Sequence, residues 1–465
     1  MRAVLKKPDA ATRTLLLKGG LSLGLKLLSA VVAFLFNLVI ARVLIKEDAG
    51  LFFLALSVTM VLSTFFRFGM DQSVTRSVAE NVADRDWQNV FRCYRVCMLI
   101  TLYASLLGMV VLLLTKGWIC ERFFTPELEP VLTIFVWSIF PMSVCLLHSR
   151  FFQGAKEMVG LQLYQNLGVS FVFLAILGSV WLATSGTPSL FFCSWLQCFS
   201  YLALAGVGAI HWLSTLRRME SESLSVESPE EQNSNIADDV VHPDVTVKWF
   251  LAASLPLWGI TMIAMLERWF GQLAVGVWCD VADVATFTVA LRISMLISIV
   301  VMAVNGISFP TFASLHRENK LVELHRTAVM SAWLTFALGL PIAAIVFLFP
   351  DFLLGLFGKE FIGSGSLLRI LVVGQIAAVA SGATGGLLVM TGHQGTALRV
   401  SIIAMLFMLV LTVILAPWYG IYGVATANAV GIIAKVVLDI SVVRYKLGFW
   451  PVGLKLPNKP SAESN

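Results

Sequence analysis

Twelve stretches of this chain run for roughly the 17–25 apolar residues that an α-helix needs to cross a hydrocarbon core about 30 Å thick, and several run longer. They fall at 20–43, 50–70, 93–115, 130–149, 161–183, 189–212, 247–278, 284–309, 326–349, 364–390, 398–416 and 420–443. Lipid offers backbone N–H and C=O groups no partner, so such runs must be helices that satisfy their own hydrogen bonds. Composition agrees. Of 465 residues, 58% are hydrophobic and 13% charged, where a soluble domain carries roughly a quarter charged residues. The first run has no small-residue cleavage site after it and is too long for a signal-peptide core, so it reads as a retained helix. The fold class is therefore an all-α polytopic membrane protein with about twelve transmembrane helices.

An internal repeat divides these helices. Asp48-x3-Phe52-x2-Ala55-Leu56-x3-Met60-x2-Ser63 returns without a gap as Asp283-x3-Phe287-x2-Ala290-Leu291-x3-Met295-x2-Ser298, and Ser73/Ser308 and Arg85/Lys320 extend the match. Its spacing suggests two six-helix lobes in the same membrane orientation. The segment between them, rich in Ser, Glu and Asp and containing Pro229 and Pro243, cannot bury apolar surface and is expected to be disordered. The expected organisation is an N-terminal segment (1–19), a first lobe (20–213), a disordered cytoplasmic linker (214–246), a second lobe (247–445) and a cytoplasmic tail (446–465). Residues 71–92 read as a charged return loop.

Lys and Arg set the orientation. Of the 33 basic residues, only Arg42, Lys46, Lys116, Arg122 and Lys359 fall on one set of connections. Most of the others fall on the opposite set, together with both termini. Both termini are therefore expected in the cytoplasm, and the even helix count agrees.

Enzyme signatures are absent. Gly20-x3-Gly24-Leu25-Lys26 lacks the spacing and the following Ser or Thr of a phosphate loop. The six histidines are dispersed, no His, Cys and carboxylate cluster suggests a metal, and the seven cysteines have neither zinc nor redox spacing. No cofactor and no nucleic acid is implied. What remains is charge inside apolar runs: Lys26, Arg67, Arg268, Arg292, Arg369 and Lys435, with the acidic companions Glu267, Asp439 and, at a helix end, Asp71. An ionised side chain at the bilayer centre costs about 2.5–3.5 kcal/mol on insertion scales, so such groups face a protein interior or a wet cavity. Lys435 and Asp439 are four apart and read as a mutually neutralising pair. Arg369 lies close enough to a helix end to snorkel. Arg268 and Arg292 lie deepest, on adjacent helices, with Glu267 the alternative partner for Arg268. Guanidinium groups lining a cavity favour a polyanion, because they offer paired hydrogen bonds to phosphate oxygens. Trp258, Trp269, Phe270 and Trp278 on the seventh helix read mainly as membrane-boundary or lipid contacts.

Several loose motifs, taken in order, carry a resemblance. They are Ala41-Arg42-Val43-Leu44-x3-Asp48-Ala49-Gly50-Leu51-Phe52, Phe68-Gly69-Met70-Asp71-Gln72-Ser73-Val74-Thr75-Arg76, Phe352-Leu353-Leu354-Gly355-Leu356-Phe357-Gly358-Lys359-Glu360-Phe361, Leu388-Val389-Met390-Thr391-Gly392-His393 and Trp418-Tyr419-Gly420-Ile421-Tyr422-Gly423-Val424-Ala425-Thr426-Ala427. Over nearly its whole length the chain resembles the Wzx-type polysaccharide flippases of the MOP exporter superfamily. The resemblance implies two six-helix lobes around a cavity that opens alternately to each face. It implies ion-coupled transfer of an undecaprenyl-diphosphate-linked oligosaccharide from the cytoplasmic to the periplasmic leaflet of a bacterial inner membrane. It further suggests a polysaccharide polymerase and a chain-length regulator as partners. The cationic cavity role carries over by position to Arg292, Arg268, Arg67 and Lys26, as substrate-binding residues. The linker departs from the family pattern in being longer and more acidic. A cation-coupled multidrug antiporter of the same superfamily is the alternative, weakened by the lack of acidic residues deep in the first six helices. An enzyme acting on the same glycolipid would need a large outer loop, and the outer connections are short.

Overall fold

The computed structural model describes residues 10–184, 186–226 and 247–453, and its regular secondary structure is helical throughout. In chain order the helices are α1 (Ala10–Val43), α2 (Lys46–Phe65), α3 (Met70–Ala83), α4 (Trp87–Phe123), α5 (Leu128–Phe135), α6 (Ile139–Gly154), α7 (Met158–Gln162), α8 (Gly168–Thr184) and α9 (Leu190–Val226). After the linker come α10 (Val247–Trp278), α11 (Val281–Ser294), α12 (Ser298–Arg317), α13 (Leu321–Leu348), α14 (Pro350–Gly355), α15 (Gly365–Ser381), α16 (Thr384–Met390) and α17 (Gln394–Leu447).

Eight helical stretches are long and apolar enough to span a membrane unaided, and two bent pairs bring the number to ten. The pairs are α7 with α8, bent by 56°, and α15 with α16, bent by 46°. Helix α17 holds two spans. Its 54 residues would be about 80 Å long if straight, more than twice the hydrocarbon core. The chain breaks it at Gly420, whose φ of 54° and ψ of −133° are not helical. With α17 split there and the 32-residue α10 added, the spans among the described residues number twelve.

The chain forms two compact units, Met1–Phe36 with Ala55–Met265, and Asn37–Leu54 with Leu266–Asn465. Helices α1, α2 and α10 thus each contribute to both, a sharing that a division at the linker does not contain.

In the first unit, α3 packs on α4 and α6, and α6 packs on α9. The expected loop at 71–92 is largely this helix. Met70, Asp71, Val74, Ser77, Val78 and Asn81 are buried along one face, at the three- and four-residue spacing of an amphipathic helix. The Asp86 side chain then caps α4, accepting from the Asn89 N–H at 3.0 Å. Helix α9 also runs further than expected, so 214–226 is helical rather than disordered. Two contacts hold that extension: Arg218 pairs with Glu222 one turn on at 4.0 Å, and Trp87 Nε1 donates to Ser223 Oγ at 3.0 Å. The rest of the expected linker, 227–246, lies outside the described residues, as do 1–9 and 454–465.

In the second unit, α15 packs against α13 and α17, and α12 against α13. The two copies of the repeat meet here. Asp48 and Asp283 both stand in the first turn of their helices, α2 and α11, where the helix dipole favours a carboxylate. A Cβ at Gly50 would run into the carbonyl oxygen of Val281, so the close approach of α2 to α11 requires glycine. Gln272 Nε2 donates to the Phe53 carbonyl at 2.8 Å, and Arg42 Nε to the Leu356 carbonyl at 2.6 Å. The copies then diverge. Helix α2 continues unbroken, whereas residues 295–297 form a tighter turn that separates α11 from α12. Helices α10 and α17 are joined by Lys435, whose Nζ lies 3.0 and 3.1 Å from the two oxygens of Glu267. This corrects the expected Lys435–Asp439 pair: the partner comes from another helix.

Two outcomes are expected. Gly420→Ala forces an L-residue into positive φ and lowers stability by about 1–2 kcal/mol, read as a lower unfolding midpoint in detergent. Lys435→Glu destabilises, and adding Glu267→Lys restores about 1–2 kcal/mol of the loss, a value between the exposed and fully buried limits for an ion pair. A double variant no more stable than either single one contradicts the pairing.

Candidate functional site

Three consecutive residues of α10 organise the charge in the second unit. Successive positions on a helix point about 100° apart, so Glu267, Arg268 and Trp269 face three ways. Glu267 reaches Lys435 on α17. Trp269 turns inward and is 7% exposed. Arg268 is exposed.

Arg292 comes from α11 and lies over Trp269, its guanidinium carbon 5.5 Å from the ring centroid. Such a contact contributes about 0.5–1 kcal/mol when exposed and about 2 or more when desolvated. It holds the guanidinium without consuming its hydrogen bonds. Arg292 Nε is buried and has no hydrogen-bond partner among the described residues, and neither has Trp269 Nε1. Arg268 is near enough to act on Arg292 as a like charge. Asp439 is 8% exposed and packs on α16, its Oδ2 3.1 Å from where a Cβ on Gly385 would stand. Nearby in the same unit, Ser298 Oγ donates to Gln375 Oε1 at 2.6 Å, and Asn305 Oδ1 is buried without a partner. The second unit therefore carries two charged groups here, Arg292 with Arg268 as a like charge, and Lys435 paired with Glu267 close to Asp439. It also presents an unsatisfied donor on Arg292. An oxyanion is the chemical complement.

Arg67, in the first unit, stands differently. The turn after α2 carries two successive left-handed residues, Phe68 at φ 47° and Gly69 at φ 74°, which bring Arg67 back onto Asp71. The guanidinium is 2% exposed and donates to both Asp71 oxygens, at 3.2 and 3.3 Å. It also donates to Ser63 Oγ at 2.8 Å and Thr64 Oγ1 at 3.1 Å. Arg150 Nε lies 3.8 Å from the same carboxylate. Two guanidiniums thus share one Asp, and Arg67 is already fully engaged. Lys26 is exposed on α1. Arg268 and Arg292 belong to one unit, where they act on each other as like charges, and Lys26 and Arg67 belong to the other. Arg369 donates Nε to the Phe347 carbonyl at 3.2 Å, satisfying one of the last carbonyls of α13.

Three features escaped the sequence. Arg150, which reads as an ordinary basic loop residue, joins Asp71. Two of the six dispersed histidines pair with tyrosines: Tyr94 Oη is 3.1 Å from His148 Nε2, and Tyr164 Oη is 3.1 Å from His211 Nδ1. The π-turn Leu163–Leu167, which carries Tyr164, lies between α7 and α8. Trp258, read as a boundary residue, donates Nε1 to the Phe65 carbonyl that ends α2, at 2.9 Å.

Comparison with known proteins agrees with this architecture. Residues 16–316 match the family model described as polysaccharide biosynthesis protein, and residues 257–414 match the MatE model. A probable low-salt glycan biosynthesis flippase of Haloferax volcanii is 25% identical over 171 residues. That match spans 37% of this chain and only 36% of the relative's length. Among solved structures, an inward-facing multidrug resistance MATE family transporter of the MOP superfamily aligns over 90% of this chain and 94% of its own, with TM-score 0.69 and 16% identity. The lipid II flippase MurJ in an inward closed conformation aligns over 91% and 87%, with TM-score 0.66 and 13% identity. At such identities the likeness is one of fold. The family match covers well over half of the residues, and the chain accordingly belongs to the polysaccharide biosynthesis protein family, with a multi-helix fold like that of MOP-superfamily transporters.

Proposed function

We propose that this transporter is a flippase that moves an undecaprenyl-diphosphate-linked oligosaccharide from the cytoplasmic to the periplasmic leaflet by alternating access, during surface polysaccharide synthesis. The observation that carries the reading is Arg292, held over Trp269 with a buried Nε that lacks a partner. A charged donor left unpaired in an apolar setting costs more than the roughly 1–3 kcal/mol of a neutral one, and a diphosphate oxygen would satisfy it with a charge-assisted hydrogen bond. Arg268 supplies a second positive charge beside it. In this proposal Arg292 and Arg268 bind the diphosphate. Lys26 and Arg67 are retained as weaker candidates, Arg67 because it would first have to loosen its hold on Asp71. Both termini lie in the cytoplasm, and a polysaccharide polymerase and a chain-length regulator act beside the flippase.

The expected result is that Arg292→Ala, at normal protein level, lowers surface polysaccharide on the order of tenfold or more, as truncating a buried charge partner does. Arg292→Lys keeps part of the activity, since a lysine offers charge without the bidentate fork. Full polysaccharide from both Arg292→Ala and Arg268→Ala overturns the assignment.

The second reading is a cation-coupled multidrug antiporter, favoured by the MatE match and the likeness to a multidrug transporter. Such a pump needs a carboxylate free to exchange a cation, and Asp71 in the first unit is committed to Arg67 and Arg150. A deletion strain with heightened drug sensitivity and intact surface polysaccharide would favour this reading over the first.

A further inference from the structure

One end of the second unit holds an open cavity of about 690 Å³ where α13 begins and the chain leaves α17. Helix α17 stops because Gly448 turns left-handed, at φ 79°, and its N–H closes on the Arg444 carbonyl at 3.0 Å. The turn folds Phe449 back onto His325, the two rings 4.6 Å apart and 26° from parallel. It also brings the Gly453 carbonyl to Trp333 Nε1 at 2.8 Å. Beneath lies a firm apolar floor, in which Leu324, Ala328 and Val443 are buried. His325, Val329, Phe449 and Trp450 line the space above it.

The rim is cationic. The Arg444 guanidinium lies 4.3 Å from the centroid of the Trp450 ring. Arg444 is exposed, as is Arg326 beside His325, with Glu323 the nearby acid on α13. Beyond the rim, α13 exposes Met330, Trp333 and Leu334, at 60%, 42% and 47%. Basic heads and aromatic rings around an apolar recess, flanked by bare apolar side chains, are the chemistry of a membrane interface.

We propose that this cleft binds the phosphate headgroup of an anionic phospholipid. Arg444 is held by cation–π contact with Trp450, and His325 stands on the cavity wall as a further donor. The apolar lining and the flanking side chains suit the glycerol and acyl portions, which a free phosphate lacks. The site is separate from Arg292 and does not depend on what the transporter carries.

The test is native mass spectrometry of the detergent-purified full chain, titrated with dioleoyl phosphatidylglycerol or dioleoyl phosphatidylcholine. The wild type should bind the phosphatidylglycerol several-fold more tightly. Arg444→Gln should lower that affinity roughly fivefold, the size of one basic contact to an anionic lipid. Trp450→Ala should do the same by releasing Arg444, while Arg444→Lys keeps most of the preference. Arg122→Gln, an equal charge loss at the end of α4, should leave the preference unchanged. Equal binding of the two lipids by wild type, or equal losses from Arg122→Gln and Arg444→Gln, overturns the proposal. So does tighter phosphatidylglycerol binding when the chain is cut after Gly453, because the cleft would then belong to the chain's own C-terminal segment.

Discussion

A polar group withdrawn from water into an apolar medium must find its partner inside the protein. Most of what is specific about this chain follows from that constraint. It forces the backbone into helices, and it decides the fate of each intramembrane charge. Arg67 is closed by Asp71, Ser63 and Thr64, and Lys435 by Glu267. Even the ends of helices obey it, with Trp258 completing α2 and Arg369 completing α13. Arg292 departs from the pattern. Its charge rests on an indole face and part of its donor capacity is left over. A buried arginine donor without a hydrogen bond, here on Arg292 as on Arg150, asks for an explanation, and under the proposed function a diphosphate oxygen supplies one for Arg292.

The two units are built in contrasting ways. The first holds buried polar groups in networks: Arg67, Asp71 and Arg150 at one place, and the Tyr94–His148 and Tyr164–His211 pairs at another, with Arg150 Nε and His148 Nδ1 left without a hydrogen bond among the described residues. Buried networks of this kind are costly when broken and rigid when complete. The second is built on helices interrupted at Gly420, between α15 and α16, and between α11 and α12. Broken helices are where a transporter can change shape without disrupting whole spans.

Legibility differed by the kind of force involved. The spans were readable because hydropathy is a local sum, and even the division at Gly420 lay in the gap between two apolar runs. Helix α3 was hidden because its buried face includes Asp71, Ser77 and Asn81, which look like loop residues until α6 is known to cover them. The end of α9 was hidden for a similar reason, since Trp87, far away in sequence, anchors Ser223. The cations Arg268 and Arg292 could be singled out as the deepest charges, but the role of Trp269 beneath Arg292 could not. An aromatic residue in an apolar run is the commonest thing there.

Sequence alone determined the membrane class, the helical architecture and its twelve spans, the repeat, and which residues carry charge into the apolar interior. All of these depend on composition over a window or on spacing along one helix. Tertiary structure alone decided who partners whom: Glu267 with Lys435 in place of Asp439, Asp71 with two arginines, Arg292 with an indole ring, and the hairpin end of α1 and α2 with the second unit. Electrostatic energy depends on distance in space, which sequence separation does not fix. Spacing can put two residues on one helical face, but it cannot exclude a better-placed carboxylate arriving from another helix.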